Sequence, residues 1–136
     1  MTYEEWEASV PAVLRKDVIW RVQAFRLGSF LAAAAQHDTD NLVSDKRLLR
    51  SVTQLCDAAG SVPAHISEGY VKLSPRVRVR YYGYSHGSAA ESRSWYLTLH
   101  RHVPEPLLTS RIDLIRSIIR LLQTMIRSER DKPDPP

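Results

Sequence analysis

The sequence predicts an all-α protein, an antiparallel up-down-up-down four-helix bundle with a proline-kinked second helix. Apolar residues recur at alternating spacings of three and four along most of the 136-residue chain, and this is the period of an amphipathic helix. The eight prolines lie mostly between or beyond these apolar patterns. Because the connections left between the helices are short, neighbouring helices should run antiparallel.

The length indicates one domain, and the 43% hydrophobic content can supply its core. The single cysteine, Cys56, excludes an intrachain disulfide and is typical of a reducing compartment. No stretch approaches the roughly 18 apolar residues that a membrane-spanning helix needs, and the N-terminus does not resemble a signal peptide. We therefore expect a cytoplasmic protein with no membrane partner.

Three segments divide the chain. Residues 1–13 should form an N-terminal arm, 14–129 the bundle, and the charged, proline-rich 130–136 a disordered tail. Within the bundle, the first helix is expected at 14–36. Two apolar stripes run along it, which indicates contact with more than one neighbour.

The second helix is predicted at 44–68, with Ser44 as its N-cap. Its apolar seam runs from Leu48 to Ile66 and passes through Pro63, so we expect a kink there and not a stop. Gly69 should end the helix in a left-handed conformation.

The third helix is predicted at 75–102, although the alternation of residues 77–82 looks like a strand. Ser74 and Pro75 form a helix-start signal, and no second strand exists for pairing. The small residues Gly87, Ser88 and Ala89 should let a neighbouring helix approach closely. The fourth helix is predicted at 106–129, and its two apolar seams, like the stripes of the first helix, suggest a subunit interface.

Two short motifs resemble those of a known family. Ser-Val-Pro-Ala-His-Ile-Ser-Glu-Gly at 61–69 is similar to S-[IV]-P-A-N-I-A-E-G of the bacterial four helix bundle proteins, which include the intervening-sequence protein encoded inside some 23S rRNA genes. Gly-Ser-Ala-Ala-Glu at 87–91 resembles the family's G-S-L-x-E. The motif residues expected to have a structural role are Pro63, His65, Glu68, Gly69, Gly87, Ser88 and Glu91. His65 stands where the motif has Asn, Arg93 where a second Glu is common, and Val77 where a Glu is usual early in the third helix. The resemblance, which covers about residues 15–127, implies a four-helix bundle that forms a homopentamer and is suspected of binding RNA.

Basic residues are concentrated in one part of the chain. Residues 72–127 hold ten Lys/Arg against three Asp/Glu, and arginine supplies fifteen of all nineteen basic residues. A basic surface of this kind suits a polyanionic partner. The residues expected to contact nucleic acid are Arg76, Arg78, Arg80, Arg116, Arg120 and Arg127. Tyr81, Tyr82 and Tyr84 could stack on unpaired bases. The competing interpretation is that the arginines form a solvated face and the tyrosines belong to the core or an interface.

Histidine and glutamate residues suggest a second kind of site. His65 and Glu68 on one helix, with His86 and Glu91 on the next, could form a metal site, but the order of the residues is reversed relative to Glu-x-x-His and too few glutamates are present. We instead expect Glu68 and Glu91 to make buried hydrogen bonds near Pro63. No nucleophile with a partnered base and no glycine-rich phosphate loop is visible, so we expect no enzyme, no metal and no cofactor.

The sequence favours a non-enzymatic, oligomeric bundle that binds RNA or another nucleic acid through its basic surface. The alternative is an interaction scaffold that docks a protein partner, with the arginines pairing with that partner's acidic groups. Phosphate binding would weaken steeply with salt, whereas docking on an apolar groove would not.

Overall fold

The computed structural model describes residues 1–133, and within them the chain forms helices and no strands. Six α-helices follow one another along the chain: α1 Tyr3–Ser9, α2 Ala12–Arg15, α3 Gln23–Thr39, α4 Leu49–Tyr70, α5 Pro75–Thr98 and α6 Glu105–Arg130. Short 3-10 helices occupy Val18–Arg21, Asp40–Leu42 and His100–His102. The predicted all-α class is confirmed for this part of the chain. Residues 134–136 of the predicted tail lie outside the described residues.

The four long helices enclose a single core. Helix α4 packs against α3 and α5, and α6 packs against α5 and α3. The seams predicted for the second and fourth helices supply much of this core, because Leu55, Val62 and Ile66 of α4 and Ile115 and Leu122 of α6 are all fully buried. Apolar burial of this kind is the main favourable contribution to folding.

The N-terminal third differs from the single helix predicted at 14–36. Asp17 has an extended backbone and its side chain accepts a hydrogen bond from the backbone N–H of Ile19, which starts a 3-10 helix instead of continuing α2. Val22 is also extended, so α3 begins only at Gln23. Earlier in the chain, a capping box between Thr2 and Glu5 caps the N-terminus of α1. Local capping by polar side chains therefore divides a segment whose apolar spacing alone resembled one helix.

The start of α4 was also predicted wrongly. The helix begins at Leu49, with Leu48 and not Ser44 as its N-cap. Asp45 accepts a hydrogen bond from the backbone N–H of Arg47, which holds a turn ahead of the helix. The helix then continues through Pro63, as predicted.

Gly69 does not have the left-handed conformation expected of it. No glycine among the described residues has a positive φ, and α4 continues to Tyr70. An added Cβ at Gly69 would lie 2.8 Å from Cε1 of Tyr82 and 2.9 Å from Cβ of Tyr81. The glycine is therefore needed because α4 and α5 approach closely at this point.

Helix α5 begins at Pro75 after Ser74, as predicted, but ends at Thr98 and not at 102. The close approach expected at Gly87 is absent, since a Cβ there would meet nothing within 4 Å. Contact with α4 instead involves the fully buried Ser85, whose hydroxyl donates a 2.8 Å hydrogen bond to the carbonyl of Val62. Among the helices of residues 1–133, none combines the length and apolar character that crossing a membrane requires.

Candidate nucleic-acid interface

An ion pair fixes α5 and α6 beside each other. Nε of Arg78 donates to Oε2 of Glu129 at 2.9 Å, and Nη1 of Arg78 donates to the backbone carbonyls of Lys72 and Leu73 at 2.6 and 3.2 Å. Arg78 thus joins the start of α5, the preceding loop and the end of α6. Because its guanidinium donors are used in hydrogen bonds within the protein, Arg78 has a structural role that the other predicted arginines do not share.

Glu129 is held in its charged form by two cations. Burial by itself raises the pKa of the Glu129 carboxyl, but hydrogen bonds from Lys132 and Arg78 outweigh that effect and leave the pKa below its ordinary value. The Nζ atom of Lys132 lies 2.8 Å from Oε1 of Glu129. The carboxylate is therefore already neutralised by this chain's own residues.

The other five predicted arginines are exposed on the same two helices. They are Arg76 and Arg80 on α5, and Arg116, Arg120 and Arg127 on α6. Four of them make no ion pair with any residue in 1–133. Arg116 lies 3.8 Å from Asp113, but both side chains are exposed, and such a pair contributes little to stability.

The helix register brings one arginine of each row, Arg80 and Arg127, to the same end of the molecule. Arg80 follows Arg78 by two residues and Arg127 precedes Glu129 by two, so Arg80 and Arg127 lie at the same level on neighbouring helices. Arg116, Arg120 and Arg127 recur on the face of α6 opposite its buried residues, among which is Ile118. The structure therefore places both rows on outward faces of adjacent helices.

A groove between the start of α5 and the end of α6 extends this basic surface. It has a volume of about 460 Å³ and is lined by Pro75, Arg76, Val79, Glu129, Arg130 and Lys132. Glu129 is its one acidic residue and is paired, whereas Arg76 and Arg130 make no ion pair among the described residues. The groove thus presents net positive charge.

The three tyrosines do not share one environment. Tyr82 is only 3% exposed and belongs to the core, so it cannot stack on a base from solution. Tyr81 is half-buried beside His65, while Tyr84 is 50% exposed. The stacking candidates are therefore reduced to Tyr81 and Tyr84.

The buried hydrogen bonds expected of Glu68 and Glu91 are absent. Both side chains are exposed and form no hydrogen bond with another residue of the described chain. The side chain that does contact the backbone beside Pro63 is Ser85, whose hydroxyl donates to the carbonyl of Val62. Among residues 1–133, no group of three or more His, Cys, Asp or Glu side chains is arranged to hold a metal ion. Burial raises the pKa of the Cys56 thiol, which disfavours the reactive thiolate.

A buried polar cluster was missed by the sequence analysis. Nε and Nη2 of Arg111 donate to the two carboxylate oxygens of Asp38 at 2.7 and 3.1 Å, and the Tyr96 hydroxyl donates to Oδ2 of Asp38 at 2.8 Å. Asp38 lies beyond the end of the first helix predicted at 14–36, and an arginine on an amphipathic helix is usually solvated. No local signal relates residues so far apart in the chain.

A largely apolar cavity of about 740 Å³ was missed as well. It lies beneath the N-terminal segment, where Trp6 stacks on Trp20 with ring centroids 5.8 Å apart. Most of its lining residues lie between Trp6 and Trp20, the segment in which the predicted first helix is divided. None of the predicted site residues lines this cavity.

Comparisons with known proteins identify the family of this chain and a solved structure with a similar fold. A family model described as 23S rRNA-intervening sequence protein matches residues 28–127. The chain is also similar to a solved structure of a protein of unknown function from the S23 ribosomal protein family of Bacteroides thetaiotaomicron, with a TM-score of 0.71 and 18% sequence identity. That match covers 76% of this chain and 98% of the other, and it supports the fold. The search of curated proteins found no match.

Proposed function

We propose that this chain, which belongs to the 23S rRNA-intervening sequence protein family, is a non-enzymatic protein that binds structured RNA through the arginines of α5 and α6. The observation that carries this proposal is that most of these arginines are exposed and form no ion pair within the described residues. Arg76, Arg80, Arg120 and Arg127 are exposed on adjacent helices and have no acidic partner in residues 1–133. Unpaired guanidinium groups are well suited to bind phosphate oxygens.

The local arrangement of charge supports the same proposal. Arg76 lies in the first turn of α5, where a cation opposes the helix dipole. Such a position has a small electrostatic cost, which a bound phosphate would offset. Arg78 and Lys132 meanwhile neutralise Glu129, the acid that lines the groove beside Arg76. The binding surface therefore consists of Arg76, Arg80, Arg116, Arg120 and Arg127, without Arg78.

The four long helices are proposed to form the antiparallel up-down-up-down bundle. Contacts between Thr39 and Cys56, and between Gly28 and Val62, support opposite directions for α3 and α4. The Arg78–Glu129 pair joins the start of α5 to the end of α6, as antiparallel neighbours require. In such a bundle the outer faces of α5 and α6 lie side by side and can contact one RNA.

Assembly into a homo-oligomer, a pentamer by the family resemblance, is also proposed. Its support is the exposed apolar surface near the N-terminal segment, where Val13 is 77% exposed, Leu14 55% and Val18 50%. Val71 and Leu73 in the α4–α5 connection are exposed too, at 71% and 90%. Light scattering of the purified protein would test it, and a monomer at all concentrations would contradict it.

The test of RNA binding is a charge-reversal experiment. A variant with Arg116, Arg120 and Arg127 changed to Glu would be compared with wild type for binding to a labelled RNA hairpin. The control variant changes Arg21, Lys46 and Arg50 to Glu; these residues are exposed and lie outside α5 and α6. Both variants change the net charge equally, so only a local surface can distinguish them.

We expect the first variant to lose binding and the control to retain most of it. Equal losses would show that only the overall charge matters and would contradict a binding surface on α5 and α6. If wild type binds no RNA at low salt, the chain is better described as a scaffold for a protein partner. The arginines would then form a solvated face or pair with the acids of that partner.

A further inference from the structure

A cluster of aromatic rings lies beside the exposed arginines of α5. The His65 ring on α4 packs against Tyr84 on α5, with centroids 5.5 Å apart and planes at 61°, and Tyr84 packs against Tyr81 at 5.8 Å and 77°. Both contacts are edge-to-face, the arrangement that aromatic rings prefer. Each ring therefore fixes the orientation of its neighbours across the junction between α4 and α5.

Tyr81 and Tyr84 differ in what covers their faces. The Lys72 ammonium lies 5.1 Å from the centroid of the Tyr81 ring and covers one of its faces. Tyr84 has no such cation over it and remains 50% exposed. Its hydroxyl makes no hydrogen bond with the described residues, and its ring adds little to the core. Tyr84 is thus an oriented aromatic ring that is open to solvent.

Two exposed arginines without an ion pair among the described residues, Arg76 and Arg80, precede Tyr84 on α5. Arg80 precedes Tyr84 by four residues and Arg76 precedes it by eight, so the three side chains follow one face of α5 at intervals of about 6 Å along the helix axis. A row of cations that ends in an exposed ring can hold the backbone of a strand and stack one of its bases. A base inside a duplex is already stacked on both sides and cannot use the ring.

We infer that Tyr84, oriented by His65 and Tyr81, stacks on an unpaired base of single-stranded RNA whose phosphates contact Arg80 and Arg76. This inference rests on the proposed function and names its ligand class: a loop or single-stranded segment, rather than a continuous duplex. Stacking of this kind tolerates any base, because every base has a flat aromatic face.

The test compares two RNAs and three substitutions. Fluorescence anisotropy would measure the Kd for a labelled ten-nucleotide oligoadenylate and for a blunt RNA duplex of the same length, at one low salt concentration. The variants are Tyr84→Ala, Tyr84→Phe and Tyr84→Leu. Phe keeps the flat ring, whereas Leu keeps apolar contact with His65 and Tyr81 without a stacking face. Thermal unfolding would verify that each variant is folded.

We expect Tyr84→Ala and Tyr84→Leu to weaken binding of the single strand by about tenfold and Tyr84→Phe to change it by less than about twofold. Binding of the duplex should be the same in all four proteins. In an oligoadenylate that carries one 2-aminopurine, wild type and Tyr84→Phe should quench its fluorescence and the other two should not.

Other results would overturn the inference in distinguishable ways. If wild type binds both RNAs and no Tyr84 variant changes the ratio of the two Kd values, stacking is wrong while arginine-mediated binding stands. If Tyr84→Phe is as defective as Tyr84→Leu, the hydroxyl and not the ring face is what matters. If wild type binds neither RNA, the proposed function and this inference both fail.

Discussion

Arg111 and Asp38 form a bidentate ion pair inside the protein, with Arg111 Nε 2.7 Å from Asp38 Oδ2 and side chains that are 4% and 0% exposed. The pair joins α6 to the end of α3, and the Tyr96 hydroxyl connects it to α5. Nη2 of Arg111 also donates to the carbonyl of Met1, and its guanidinium lies over the Phe30 ring at 5.2 Å. Three long helices and the N-terminus therefore meet at one buried pair of charges.

Removal of one partner of this pair should be strongly destabilising. Asp38→Ala leaves the Arg111 guanidinium buried without its counter-charge, and we expect the free energy of unfolding to fall by about 3–5 kcal/mol. Urea denaturation would measure the loss. The matched control is the double variant Asp38→Leu with Arg111→Met, which removes both charges and should be less destabilised than Asp38→Ala. A single variant with wild-type stability would contradict this account.

Gly69 and Gly83 should respond to alanine in opposite directions. A Cβ at Gly69 would collide with Tyr81 and Tyr82 of α5, so Gly69→Ala should destabilise the fold by about 1–3 kcal/mol. Gly83 is exposed within α5 and a Cβ there meets nothing within 4 Å, so Gly83→Ala should stabilise it by about 0.5–1 kcal/mol. Thermal or urea unfolding of both variants would measure the effects. The same sign for both would be evidence against the close approach of α4 and α5.

Substitution of Arg78 should mainly lower stability, whereas substitution of Arg80, only two residues away, should mainly weaken RNA binding. Arg78→Ala removes hydrogen bonds to Glu129, Lys72 and Leu73, and we expect it to lower the free energy of unfolding by about 1.5–3 kcal/mol. Arg80→Ala changes an exposed, unpaired residue and should alter stability by less than about 0.5 kcal/mol. Unfolding and RNA-binding measurements on both variants would show the difference. Equal stability of the two variants would mean that Arg78 is not the structural residue.

Tyr82 should make the fold sensitive to alkaline pH. Burial raises the pKa of Tyr82 from 10.0 to about 12, with a smaller contribution from the charge of Glu129. Above pH 10 the unfolded chain loses this proton while the native protein keeps it, so the stability gained by the neutral phenol is present below pH 10 and is lost as the pH rises towards about 12.

The expected loss at Tyr82 is about 2 to 3 kcal/mol over that range. Urea unfolding at several pH values would measure it for wild type and for Tyr82→Phe. Burial and the carboxylate of Asp38 also raise the pKa of Tyr96, so the variant should retain the part of the dependence that Tyr96 causes. An identical pH dependence in both proteins would show that Tyr82 ionises freely in the native state.

Local signals were sufficient to predict most of the helices. Ser74 and Pro75 identified the start of α5 despite an alternating pattern, because a proline at the first helical position is compatible with a helix and the expected strand had no partner. The seams through Leu55 and Ile115 identified the core faces of α4 and α6. The division near Asp17 was not predicted. Whether an aspartate caps a new helix or lies within a continuous one depends on its backbone conformation, which the apolar periodicity does not reveal.

The functional surface was only partly predictable for a related reason. An arginine on a helix can face a phosphate or an acid of its own chain, and spacing does not distinguish Arg78 from Arg80. The partner of Arg78 is Glu129, 51 residues away, and the partner of Arg111 is 73 residues away. Such long-range pairs depend on how the helices pack. The same limit applied to Gly69, whose role is to allow contact with another helix.

The most direct test of the account is the salt dependence of RNA binding. For each variant, the Kd for a labelled RNA hairpin would be measured across a salt series and plotted as log K against log salt. For wild type we predict a steep slope, and for each of Arg80→Ala, Arg120→Ala and Arg127→Ala a slope reduced by about one, because each removes one phosphate contact. Arg78→Ala should leave the slope unchanged. A wild-type slope near zero, or slopes that none of these substitutions alters, would contradict a phosphate-binding surface on α5 and α6.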